Sequence, residues 1–115
     1  MPDSFSYLVN WKSRVLLPNK NIRNALITGV KLGGFKLKFD QALPVGEEIA
    51  LEFYVKYRET PSRIRVKAKV THCQLTSPTG ANLKLKLSHI SREDNHTLNN
   101  VLQTLAESDS FDLRA

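Results

Sequence analysis

The chain holds one cysteine, Cys73, so no disulfide can form within it, and a reducing cytoplasm is the expected compartment. No apolar run approaches the roughly 20 residues that a helix needs to cross a bilayer, so no membrane span is expected. The first ten residues contain Asp3 and neither Lys nor Arg, unlike the basic start of a signal peptide.

Catalytic and metal-binding patterns are also missing. There is no H-E-x-x-H, G-x-S-x-G, P-loop or Rossmann glycine pattern, and Gly33-Gly34 falls between two extended runs instead of opening a helix. His72 and Cys73 are adjacent on an expected strand and so point to opposite faces, while His89 and His96 lack the paired spacings of a structural zinc site. Ser91, Asp94 and His96 are close in sequence, but helix residues two apart are turned by about 200° from each other, and Ser91 reads better as a cap. The expectation is a protein that binds rather than catalyses, with no metal and no cofactor.

Acidic residues are scarce relative to basic ones. Seventeen Lys and Arg stand against eleven Asp and Glu, a formal charge of +6, which favours an anionic partner. A length of 115 residues suits a single domain that buries roughly two-thirds of its unfolded surface.

What is present is a series of short β-branched and aromatic runs separated by turn residues, as in a sandwich or small barrel. Six strands are expected, at about 7–17, 22–30, 35–40, 48–57, 63–75 and 81–88. They are broken at Pro18-Asn19-Lys20, Gly33-Gly34, Pro44-Val45-Gly46, Thr60-Pro61-Ser62 and Ser77-Pro78-Thr79-Gly80.

Alternation is clearest in three strands, where Phe35, Leu37 and Phe39, then Val66, Ala68 and Val70, then Leu83, Leu85 and Leu87 each share a core-facing side. The opposite sides carry Lys36 and Lys38, then Arg65, Lys67 and Lys69, then Lys84 and Lys86. If these strands are neighbours, the sheet exterior is a cationic stripe. Outward lysines also guard strand edges against aggregation, and Glu48 and Glu52 on the fourth strand are placed to pair with some of them.

One helix is expected after Ser91. Ser91-Arg92-Glu93-Asp94 has the form of a capping box, and Leu98, Val101, Leu102 and Leu105 follow the i, i+3, i+4, i+7 spacing of an apolar face that would plug an open end of the barrel. The expected organisation is one domain over residues 1–107 and a mostly polar tail over 108–115.

A basic barrel could hold single-stranded nucleic acid through a cationic groove and stacking rings. Most rings are spoken for, however. Phe35, Phe39 and Phe53 share parity with core leucines, and Trp11 is in phase with Val9 and Val15, which leaves Tyr54 and at most Tyr7 or Tyr57 to stack. Nucleic acid is therefore a disfavoured partner.

The segments Val30-Lys31-Leu32-Gly33-Gly34-Phe35-Lys36-Leu37 and Leu43-Pro44-Val45-Gly46-Glu47-Glu48-Ile49, then Ile64 to Val70 and Gly80 to Leu87, resemble a PilZ domain across most of the chain. The resemblance implies a six-stranded antiparallel β-barrel with one C-terminal helix. It also implies a place in bacterial cyclic di-GMP signalling, where such domains control motility, pili, exopolysaccharide and biofilm formation.

The family's Asp/Asn-x-Ser-x-x-Gly turn falls here on Gly29, Lys31 and Gly34, so only the last position matches. Its Arg-x-x-x-Arg arm has no counterpart, since Arg14 is preceded four positions earlier by Asn10. Loss of both motifs resembles the family's adaptor members, which hold a protein partner of a pilus, flagellar or biofilm system.

The leading expectation is thus an adaptor that engages its partner through Lys67, Lys69, Lys84 and Lys86. The alternative is a divergent cyclic di-GMP receptor whose contacts come from Lys12, Arg14 and Lys31 beside Gly33 and Gly34. Lysine neutralises phosphate but lacks the planar fork of arginine, so weak affinity follows. A single-stranded nucleic-acid barrel is the second alternative.

Overall fold

Alternating apolar residues bury one side of each extended run, and the turn residues between runs set where the chain reverses. In the computed structural model, which describes residues 7–57, 59–77 and 80–114 and only the backbone at 57, 77 and 106–114, the result is six antiparallel strands. These are β1 (Tyr7–Leu16), β2 (Ile22–Lys31), β3 (Gly34–Phe39), β4 (Glu48–Tyr57), β5 (Thr60–Ser77) and β6 (Gly80–Ile90), followed by the helix α1 (Arg92–Arg114). The strands close into a barrel in the order β1-β2-β3-β6-β5-β4, so the expected fold class is borne out.

Pairing of β1 with β4 over Ser13–Leu16 and Ala50–Phe53 closes the barrel. The interior is filled by the alternating positions, with Val15, Ile27, Leu37 and Leu83 fully enclosed beside Phe35 and Phe53. Trp11 stacks on Phe53 with ring centroids 5.6 Å apart, and Phe35 meets Phe53 edge-on. Each fully buried side chain of this kind contributes about 1.5–3 kcal/mol. Leu87, expected in the core, is only half-buried.

One expected turn belongs to a strand instead. Lys56 pairs with Pro61 and Tyr57 with Thr60, so Thr60-Pro61-Ser62 opens β5. Proline is tolerated there because β6 reaches only as far as the Ile90–Val66 pair, which leaves the start of β5 with a neighbour on one side alone. The hairpin loop between Tyr57 and Thr60 carries Glu59 in the left-handed region at φ 63°. At the other end Ser77 and Gly80 are also paired, and Pro78 and Thr79 lie outside the described residues.

The helix begins as expected. The Ser91 hydroxyl accepts a hydrogen bond from the Asp94 N–H at 3.2 Å. The second half of the capping box does not form, because the Asp94 carboxylate instead accepts from the Arg65 N–H at 3.1 Å. That amide lies just beyond the point where β6 stops pairing with β5, so Asp94 supplies the acceptor that the departing strand no longer offers.

Leu98, Val101 and Leu102 are buried and Leu105 packs against them, with α1 lying on β4 and β5. The helical backbone continues to Arg114, through the segment read from the sequence as a tail from Ser108.

Candidate functional site

The outward side chains of β3, β6 and β5 depend on the order of these strands, and β6 lies between the other two. Register then places like charges face to face. Lys36 stands opposite Lys84, and Lys86 stands between Gly34 on one side and Lys69 on the other. Lys67 is opposite His89, and His72 opposite Lys84. Among the described ion pairs none involves Lys36, Lys67, Lys69, Lys84 or Lys86. The expected stripe is therefore one continuous cationic surface.

Glu48, read as a partner for these lysines, is opposite Lys69 in register, but its carboxylate accepts a hydrogen bond from the Ser88 hydroxyl at 2.7 Å.

The β2–β3 turn sits at the rim of this surface. Lys31 pairs with Gly34 across a two-residue loop, Leu32-Gly33. Gly33 has φ +79°, a conformation that a side chain rarely adopts, and its carbonyl accepts the Leu87 N–H at 2.9 Å. Gly34 has ordinary φ, but a Cβ there would lie 3.2 Å from the Leu85 carbonyl oxygen and 3.0 Å from Lys31 Cε. Both glycines thus have a structural reason to be glycine. Together Lys31, Gly33, Thr71, His72, Lys84 and Lys86 line a cleft of about 430 Å³.

The five candidate ligand residues do not form one site. Lys31, Gly33 and Gly34 stand at the β2–β3 turn, whereas Lys12 and Arg14 line a separate cleft of about 510 Å³ with Asn24 and Tyr54. Lys12 is registered with Leu26, five residues along β2 from Lys31, or roughly 16 Å at about 3.3 Å per residue. Arg14 is occupied otherwise, as described next. The divergent site drawn from Lys12, Arg14 and Lys31 is thus split by the β1–β2 register, which sets Lys12 and Arg14 against Leu26 and Asn24, well along β2 from Lys31.

The structure also assembles a cluster that the sequence reading did not single out. Closure of the barrel sets Glu52 of β4 directly between Arg14 of β1 and Arg65 of β5, with Arg63 two residues along. Arg65 Nε donates to Glu52 Oε2 at 2.9 Å, and the Nε atoms of Arg14 and Arg63 lie 3.6 and 3.9 Å from the same carboxylate. The Arg65 hydrogen bond, helped by the charges of all three arginines, holds the Glu52 carboxyl below the ordinary value of 4.5 against a smaller opposing effect of burial. The outward parity of all four residues was readable, but their convergence required knowing that β1 pairs with β4.

His72 is exposed and Cys73 half-buried, on opposite sides of β5 as alternation requires. Among the described residues no group of three or more His, Cys, Asp or Glu is placed to hold a metal ion, and no helix is long and apolar enough to cross a membrane.

Comparison with known proteins reports a likeness of fold. The chain superposes on the Bacillus subtilis inhibitor of motility, MotI/DgrA, with a TM-score of 0.70 and 15% sequence identity, covering 98% of this chain and 53% of that one. The chain therefore spans about half the length of that structure. No family model matches the chain, and no curated protein matches it.

Proposed function

We propose that this chain is a PilZ-like adaptor in bacterial cyclic di-GMP-linked signalling, on the side that governs motility, and that it holds a protein partner on the cationic face of β3, β6 and β5. It acts by binding, without catalysis or cofactor, and takes cyclic di-GMP weakly or not at all. The observation that carries this reading is the juxtaposition of Lys36 with Lys84 and of Lys69 with Lys86, with no described carboxylate paired to any of them.

Like charges directly opposite one another weaken a sheet. A face built this way gives up some stability and holds ready a surface that an acidic protein can neutralise, and its long-range field speeds encounter with such a partner. The shared fold with an inhibitor of motility supports the pathway, and the departures at Gly29 and Lys31 support an adaptor over a nucleotide receptor.

The experiment pairs calorimetric titration of cyclic di-GMP with capture of partner proteins by the wild-type chain and by a Lys67→Glu, Lys69→Glu, Lys84→Glu, Lys86→Glu variant. A flat titration and capture that is lost on charge reversal are expected. Capture that survives the reversal excludes this face.

One observation favours a second reading, a divergent receptor: Lys31, Lys84, Lys86 and His72 do share a cleft beside the glycine turn. Saturable binding of cyclic di-GMP that is abolished by Lys31→Ala with Lys84→Ala would establish it. Lys12 and Arg14 have no part in that cleft.

A further inference from the structure

The Glu52 cluster adjoins the lysine face, since Arg65 stands two residues from Lys67 on the same outward side of β5, but its composition points to a different occupant. Arg14, Arg63 and Arg65 converge on one carboxylate, which leaves two positive charges in excess among the described residues. The exposures are unequal in an informative way. The Glu52 side chain is only 19% exposed, whereas those of Arg14, Arg63 and Arg65 are 60%, 52% and 64% exposed. The acid is drawn in beneath the guanidiniums, and their outer edges stay open to solvent.

A guanidinium presents five donors in a planar fork matched to a carboxylate, and one shared acid cannot engage three such forks. An apolar ledge adjoins them. Leu16 and Ile22 are registered opposite each other at the ends of β1 and β2 and are 44% and 59% exposed. Leu16 lies two residues beyond Arg14 on the same outward side, about 7 Å along the strand. Arg14, Arg65, Glu52, Leu16 and Ile22 line one cleft of about 310 Å³.

We infer that this cleft is a second docking site, one that takes a segment of a partner protein in which an Asp or Glu stands beside an aliphatic side chain. The partner's carboxylate binds the outer forks of Arg14 and Arg65 above Glu52, and its aliphatic group covers Leu16 and Ile22. Charge complementarity selects the acid. The ledge selects against a bare phosphate, which has no apolar part to set there. Among the described residues no ring lines this cleft, so a nucleic-acid strand would find nothing there on which to stack a base. The cleft is lined by none of the five lysines of the neighbouring face and gives the adaptor a second point of attachment.

The test is selection of a phage-displayed library of random short peptides on the folded chain, followed by affinity measurement of the enriched peptides. Enrichment of peptides with an acid next to an aliphatic residue is expected. Their affinity should fall about tenfold or more in an Arg14→Ala, Arg65→Ala variant, since hydrogen bonds to charged groups are lost.

It should fall also in Ile22→Ser, which leaves the ion cluster untouched, and should hold in Lys69→Glu, Lys84→Glu, Lys86→Glu. That last variant separates failure of this site from failure of the lysine-face reading. Circular dichroism of each variant confirms the fold. The inference is overturned if no such peptides enrich, if their binding ignores Arg14, Arg65 and Ile22, or if oligothymidylate or inorganic phosphate occupies the cleft more tightly than the peptides do.

Discussion

Lys36 and Lys84 stand directly opposite each other on the outer side of β3 and β6, within a strand pair whose inner side carries the contacts of Phe35 with Leu85 and Leu37 with Leu83. The buried side fixes the register, and the register sets the two lysines opposite each other. Lys84→Glu converts this repulsion, and that with the neighbouring Lys86, into attraction. The variant should be more stable than wild type by about 0.2–1 kcal/mol in urea denaturation, within the range of cross-strand pairs, while losing partner capture. A gain in stability joined to a loss of binding would show that the repulsion is kept for function.

Gly33 and Gly34 should respond to substitution for different reasons. Gly33→Ala meets no neighbouring atom but places a side chain at φ +79°, and should destabilise by about 1–2 kcal/mol. Gly34→Ala meets the Leu85 carbonyl and the Lys31 side chain, and should cost about 1–3 kcal/mol by crowding β3 against β6. Thermal melts give the magnitudes. Hydrogen exchange at Leu87, whose N–H is bonded to the Gly33 carbonyl, tells the two apart, because Gly33→Ala should release it first.

Glu52 should give the fold a measurable pH dependence. Its carboxyl titrates below 4.5 in the folded chain and near the ordinary value when unfolded, so the folded state favours the ionised form. Its contribution is therefore fully present above the unfolded value and is lost as pH falls through the folded one. The difference in urea midpoint between wild type and Glu52→Gln should be largest near neutral pH and should shrink below pH 4.5. A difference that is constant with pH would show that the arginines do not favour the charged form.

The start of the helix is tied down twice. Ser91→Ala removes the acceptor for the Asp94 N–H and should cost about 0.5–2 kcal/mol. Asp94→Ala keeps that bond, whose donor is the backbone N–H, and removes instead the acceptor for the Arg65 N–H together with one acid of the first helical turn. Its effect should therefore reach amide protection at Arg65 in β5, which Ser91→Ala should leave unchanged.

Ser13 lies inside the barrel opposite Phe53, 5% exposed, and its hydroxyl has no hydrogen-bond partner among the described residues. A buried hydroxyl without a partner costs about 1–3 kcal/mol. Ser13→Ala should accordingly raise the melting temperature, and a fall would mean that the hydroxyl is satisfied in solution.

The sequence by itself determined the elements and their faces. Alternation is a local property, so Leu83 and Leu85 inward with Lys84 and Lys86 outward followed from the pleat alone, and Ser91 announced the helix because a cap acts within one turn. Local signals misjudged Thr60-Pro61-Ser62, since whether a proline ends a strand depends on how many neighbours that strand has. They also placed Lys12, Arg14 and Lys31 in one site, although spacing along a chain says nothing of which strands adjoin.

Only the tertiary structure decided the arrangement across strands: β6 between β3 and β5, which makes one surface of five lysines, and β1 against β4, which brings Arg14 onto Glu52 beside Arg65. Strand order follows from closing a barrel around a shared core, and that closure sums burial over the whole chain. No window of the sequence contains it.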